Sequence, residues 1–193
     1  MKPELRSSTA SLRKADGTAT KMIEGYAAVF NSPTAIGSYF TEQIAPGAFT
    51  EAIGRDDVRA LFNHDSNLVL GRSTAGTLRL AEDARGLKIE IDPPDTQLAR
   101  DLMVSMERGD ITQMSFGFWV DKEIWDKTVT PPMRTILKVR LADTSIVTTP
   151  AYEDTEAHVV ALRSLEKSRA EHVNPVANIR RRIKLGIDSR KSA

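Results

Sequence analysis

The sequence predicts a β-rich α+β fold, a closed and mainly antiparallel β-barrel surrounded by helices. Two observations carry this expectation. Some six to eight short strand-like runs arrive in succession, without the regular strand–helix alternation of a parallel sheet. Only two or three segments carry helix signals, which leaves the helices to pack outside a sheet that must close its own edges.

Taken in chain order, residues 1–20 are polar, mixed in charge and rich in Ser, Thr, Lys and Arg, and read as a flexible arm. Met22 to Phe30 reads as a strand with Gly25 as a candidate bulge, broken by Asn31-Ser32-Pro33. Ser38 to Ile44 reads as a second strand. Pro46-Gly47 opens a short helix whose apolar side is Ala48, Phe49, Ala52 and Ile53. Val58 to His64 and Leu68 to Arg72 read as strands. Thr77 to Ala81 and Gly86 to Ile91 form a hairpin around residues 82–85. Pro93-Pro94 stops the sheet, and Asp95 or Thr96 caps a helix running to about Arg108, with Gly109 at its end. Leu98, Leu102 and Met106 give that helix one buried stripe. Gln113 to Lys122 and Arg134 to Val147 are two further strands, joined by a loop containing Pro131-Pro132. Ala157 to Arg169 is ambiguous between strand and helix. The domain division is therefore an arm over 1–20, one folded domain over 21–165 and a basic tail over 166–193 that is mobile or removed.

Composition narrows the function. The chain has 193 residues, 40% apolar and 27% charged, which fits one compact domain plus a tail. No apolar run reaches the 18 residues a spanning helix needs, so no membrane partner is expected. The first 20 residues lack the apolar core of a secretory leader. Cysteine is absent, which removes disulfides, a catalytic thiol and thiolate metal sites, and suits a reducing cytoplasm. Residues 1–160 carry 18 Lys and Arg against 23 Asp and Glu, a net of −5. Residues 161–193 carry 9 against 3, a net of +6. The basic surplus sits in the tail, so the folded body is not read as a nucleic-acid binder. His64, His158 and His172 lie far apart without ligand spacing, so neither metal nor other cofactor is expected.

Side-chain alternation singles out three residues. Val58, Ala60, Phe62 and His64 share a face, so His64 continues an apolar stripe. Leu137, Val139, Leu141 and Asp143 share another, so Asp143 interrupts one. A lone buried carboxylate is costly, and an imidazole would satisfy it. On the strand from Gln113, Met114, Phe116 and Phe118 face the core, while Ser115 and Gly117 face the other way. Gly117 then leaves room for a substrate backbone beside the hydroxyl. These groups can act as nucleophile (Ser115), general base (His64) and orienting acid (Asp143). Backbone amides at Thr148 and Thr149, which follow Asp143 directly, are the candidate oxyanion donors. Each residue also has a plain structural reading: a packed histidine, a structural Ser-x-Gly, a turn-capping aspartate. No Gly-x-Ser-x-Gly elbow is present. Ser145 and His158 stand in reserve as nucleophile and third member, with a structural role as the default for both.

Four stretches, Gly25-Tyr26-Ala27-Ala28-Val29-Phe30, Leu61-Phe62-Asn63-His64-Asp65, Gln113-Met114-Ser115-Phe116-Gly117-Phe118 and Asp143-Thr144-Ser145-Ile146-Val147-Thr148-Thr149-Pro150-Ala151, occur in this order. With Ile44-Ala45-Pro46-Gly47-Ala48-Phe49 between them, they resemble the prohead serine proteases of tailed bacteriophages over roughly residues 20–165. That family is distantly similar to the herpesvirus assembly proteases, whose fold is a closed antiparallel barrel wrapped by helices. The resemblance implies that His64 and Ser115 are catalytic. It places Asp143 at the third position, where the family pattern often shows Glu before a Val-Ser pair and this chain has Asp143-Thr144-Ser145. It also implies a serine endopeptidase acting in the host cytoplasm, inside the assembling prohead. Its substrates would be scaffold, the N-terminal extension of the major capsid protein, and itself by autoproteolysis. A homo-oligomer is compatible with this. The alternatives are a non-catalytic assembly or scaffold protein that keeps the protease fold, and a hydrolase of small esters.

Overall fold

The computed structural model describes residues 3–14, 21–149, 165, 166 and 168. The strands are β1 (Glu4–Lys14), β2 (Lys21–Val29), β3 (Thr34–Ile36), β4 (Phe40–Ile44), β5 (Arg59–Phe62) and β6 (Asp65–Arg72), followed by β7 (Leu78–Glu82), β8 (Gly86–Ile91), β9 (Gln113–Asp126) and β10 (Met133–Val147). With the helices α1 (Thr50–Arg55) and α2 (Gln97–Arg108) the described residues form a β-rich α+β architecture. The ladder runs β3-β4-β10-β9-β1-β2-β8-β7, with β5 pairing β10 and β6. β1 is the seam between two sheets. Its first half pairs β9 and its second half pairs β2.

That seam corrects one expectation. Glu4–Lys14 is a strand hydrogen-bonded on both sides, where a flexible arm was expected. The polar run Arg6-Ser7-Ser8 misled because both sheet faces here receive polar neighbours. Arg6 lies between Glu4 and Glu42, and the Ser8 hydroxyl donates to the Tyr26 carbonyl. Residues 15–20 and the basic tail over 166–193 lie outside the described residues, apart from Glu166 and Ser168, as does most of 157–169. Leu165 is buried against Ile36 and Phe40.

The other elements follow their sequence signals closely. β7 and β8 form the expected hairpin. The Thr96 hydroxyl accepts the Ala99 amide at the start of α2. At its end Gly109 adopts φ 82°, which L side chains resist, and the amides of Gly109 and Asp110 return to Met106 and Ser105. Ala99, Leu102 and Met106 of α2 and Ala52 of α1 join Phe49, Phe116, Phe118 and Ile136 in one core.

β10 is the spine of the molecule. It pairs β9 along one edge, and along the other it pairs β4 at residues 133–136 and β5 at residues 143–146, both parallel. Between these two partners its edge would be bare. The segment around α1 fills the gap: the Val139 amide donates to the Ala48 carbonyl, and the Leu141 amide donates to Asp56 Oδ2 at 2.8 Å. Asp56 also accepts from Arg55 at 2.7 Å. Burial raises the Asp56 pKa, but the bonds from Arg55 and the Leu141 amide outweigh it and hold the carboxyl below its ordinary value.

Asp56→Ala is therefore expected to destabilise the fold by about 1–3 kcal/mol at pH 7, because it orphans the Leu141 amide and removes a paired carboxylate. The Asp56 contribution is present above the ordinary carboxylate range of about 4 and fades as pH falls through the lower folded value. Urea titrations of both proteins at pH 7 and pH 3 check this, with the stability gap shrinking at the lower pH.

Candidate active site

The site is assembled from three pieces of chain. β9 and β10 run antiparallel with Ser115 opposite Ser145 and Gly117 opposite Asp143. Directly opposed residues project to the same face, so all four share one surface patch of the sheet. On the flanking strands Ser7 of β1 aligns with Ser115, and Leu61 of β5 aligns with Ser145. The remaining piece is the turn between β5 and β6.

His64 sits in that turn. β5 ends at Phe62, which pairs with Asp65, so Asn63 and His64 form a two-residue hairpin loop with φ 52° and 57°. Positive φ at both central positions is the requirement of a type I′ turn. Asn and His both enter this region more often than most residues with a side chain. The turn is tied to β10: the Asn63 amide donates to the Ile146 carbonyl at 2.9 Å, and the Thr148 amide donates to Asn63 Oδ1 at 3.0 Å.

The imidazole reaches β10 from there. His64 Nδ1 lies 2.6 Å from Asp143 Oδ1 and donates to that acceptor-only carboxylate. The Ser145 hydroxyl donates to the same Oδ1 at 2.7 Å and lies 3.2 Å from Nδ1. With its proton on Nδ1, the ring presents Nε2 as a lone-pair acceptor. Nε2 is buried and accepts no hydrogen bond among the described residues, and buried Ser115 Oγ likewise makes none. A buried acceptor and a buried hydroxyl donor are thus both left unsatisfied at one site. The His64 and Asp143 side chains retain 19% and 14% exposure, so the patch opens to solvent on the imidazole side.

Residues 8–171 match the family described as the Caudovirus prohead serine proteases. The chain belongs to this family. It is also 34% identical over 150 residues to the prohead protease of Enterobacteria phage HK97, a match covering 75% of this chain and 61% of that protein. The chain thus spans less than two thirds of that relative's length. No solved structure is a significant match.

For this prohead protease family member the structure brings His64 and Asp143 into contact and puts Ser115 in the same patch, but for reasons that simple alternation misjudged. Asp143 is not on the core-facing side. Register shifts between Ile136 and Lys138, between Lys138 and Val139 and between Leu141 and Asp143 break the pattern, so Ile136, Val139, Leu141 and Ile146 point inward and Asp143 points to the site. His64 does not extend the Val58 and Ala60 stripe, because β5 has already ended. Gly117 does not leave open room for substrate: a Cβ built there would lie 2.6 Å from Asp143 Oδ2. The Thr148 amide is engaged by Asn63, and of the expected oxyanion pair the exposed Thr149 is the member whose amide has no such bond among the described residues. His158 lies outside the described residues.

Sequence reasoning placed Ser145 only in reserve. Its position two residues after Asp143 was the available signal, and the cross-strand pairing with Ser115 is what gives it meaning. Among the described residues no group of His, Asp and Glu forms a metal-holding cluster, and no helix is long and apolar enough to cross a membrane.

Proposed function

We propose that this chain is a serine endopeptidase of prohead maturation. Its substrates are scaffold or the N-terminal extension of the major capsid protein, and its own chain, inside the assembling prohead. The observation that carries the reading is the Asp143–His64 pair, which fixes the imidazole tautomer while Nε2 and the Ser115 hydroxyl stay unspent.

In this mechanism Ser115 Oγ attacks the scissile carbonyl carbon as its proton passes to His64 Nε2. Asp143 stabilises the imidazolium that results. The tetrahedral intermediate collapses, the C–N bond breaks, and the proton on Nε2 passes to the leaving amine. Water then repeats the sequence on the acyl-enzyme, with Nε2 again taking and returning a proton. The Thr149 amide is the donor proposed for the oxyanion. Ser115 is fully buried, so a peptide reaches it only once the groups that cover it move aside. The two sheets close as a barrel in this reading, with α1 and α2 packed around it, and the basic tail over 166–193 is a self-cleavage target.

A fluorophosphonate is expected to label the wild-type chain at Ser115 and leave Ser115→Ala unlabelled. Mass spectrometry over time is expected to show self-trimming in the wild type alone. An unlabelled wild type, with capsid processing intact in Ser115→Ala, would instead make the chain a non-catalytic assembly protein.

A further inference from the structure

We propose that Gly117 and Ser145 are positioning residues that together seat the Asp143 carboxylate against His64. The inference deepens the endopeptidase reading and rests on it, since the seat matters only if Asp143 orients the general base.

Gly117 is not demanded by its backbone. Its φ lies outside the left-handed region, where four other glycines among the described residues sit. A glycine inside a strand weakens the strand, so at a buried central position its presence calls for a reason of space. The space is occupied. An added Cβ would meet Asp143 Oδ2 at 2.6 Å, Leu5 Cδ2 at 3.3 Å and Ala142 Cβ at 3.5 Å. The carboxylate therefore rests on the bare Cα of its cross-strand partner.

Ser145 closes the opposite side. Its hydroxyl donates to Oδ1, the same oxygen that receives His64 Nδ1–H. One oxygen is thus held by two donors while the other lies in the notch at Gly117, and the carboxylate has a single orientation. Ser145 is not placed as a nucleophile, because it faces Nδ1, whose proton is committed to Asp143. The unspent nitrogen is Nε2.

The first atom that a Gly117 side chain would strike is the tip of a rotatable side chain. Gly117→Ala therefore folds, and the carboxylate turns away from the imidazole. A misplacement of about 1 Å in catalytic geometry costs on the order of a hundredfold in rate. Loss of the Ser145 donor costs about tenfold, the scale of one hydrogen bond.

The test is the rate of fluorophosphonate labelling of the full chain. Gly117→Ala is expected to label about a hundredfold more slowly and Ser145→Ala about tenfold more slowly, both while thermal unfolding shows them still folded at the assay temperature. Ser145→Thr, which keeps the hydroxyl, is expected to regain most of the rate. In an Asp143→Ala background neither substitution should slow labelling further, because the group they position is gone. Wild-type labelling by Gly117→Ala, or full additivity with Asp143→Ala, overturns the seat. If Asp143→Ala itself labels at the wild-type rate, the orienting role of Asp143 falls, and the seat with it.

Discussion

His64→Asn is expected to lower peptide cleavage by about five to six orders of magnitude while leaving the fold intact, the scale seen when the base is removed from a Ser-His-acid set. Asparagine is the informative replacement because of where His64 sits. At φ 57°, alanine would add a backbone cost of about 1–2 kcal/mol to the loss of the base. Asparagine tolerates that conformation and cannot act as a base at Nε2. Kinetics on a peptide from the capsid-protein extension, paired with thermal unfolding, separate the two effects. A His64→Asn protein within tenfold of wild type would remove the imidazole from the mechanism.

The second large effect is structural. Arg134 is 1% exposed and lies among carboxylates from three other strands. Its Nη1 donates to Glu4 Oε2 at 2.8 Å and to Glu42 Oε2 at 2.7 Å, and its Nε donates to Glu123 Oε2 at 2.6 Å. Arg6 bridges Glu42 and Glu4 from the other side. Burial alone would lower the Arg134 pKa, but Glu4, Glu42 and Glu123 more than reverse it and keep the guanidinium charged. Removing the arginine leaves buried Glu4 and Glu42 to share Arg6 alone, with one negative charge unmatched. Arg134→Met is expected to cost about 3–5 kcal/mol, a large part of the total stability of an ordinary domain. Urea unfolding reads the loss directly. Adding Glu42→Gln to Arg134→Met should cost less than the sum of the two single changes, because the stranded charge goes with it. Strict additivity would mean that the cluster is not a coupled unit.

Much of the fold was legible because its signals are local. The helix over residues 97–108 was bounded by Thr96 and Gly109, and the β7–β8 hairpin by its turn. β1 was not legible. Its partners are strands from distant parts of the chain, and a Ser- and Arg-rich run looks solvated until Glu42 and Tyr26 arrive beside it. At the site, residue types carried more information than alternation did. A histidine ending one strand and an aspartate in another were correctly matched, yet the faces assigned to them were wrong because alternation assumes an unbroken register. Register shifts in β10 reverse it. Arg134 offered the same kind of clue as Asp143, a charge in line with inward-pointing Ile136, and the Glu4 and Glu42 that answer it are likewise remote in sequence.

The seam strand and the spine strand together impose an order of events during synthesis. His64 and Asp143 lie 79 residues apart, and the turn bearing His64 is braced against β10. β10 follows the other described strands along the chain, and β1 finds its place beside β9 only once residues 113–118 exist. A nascent chain therefore carries no His64–Asp143 pair until residue 143 has been translated. In the proposed mechanism hydrolysis waits for that pairing, so a chain that stops short of β10 would leave its surroundings undigested.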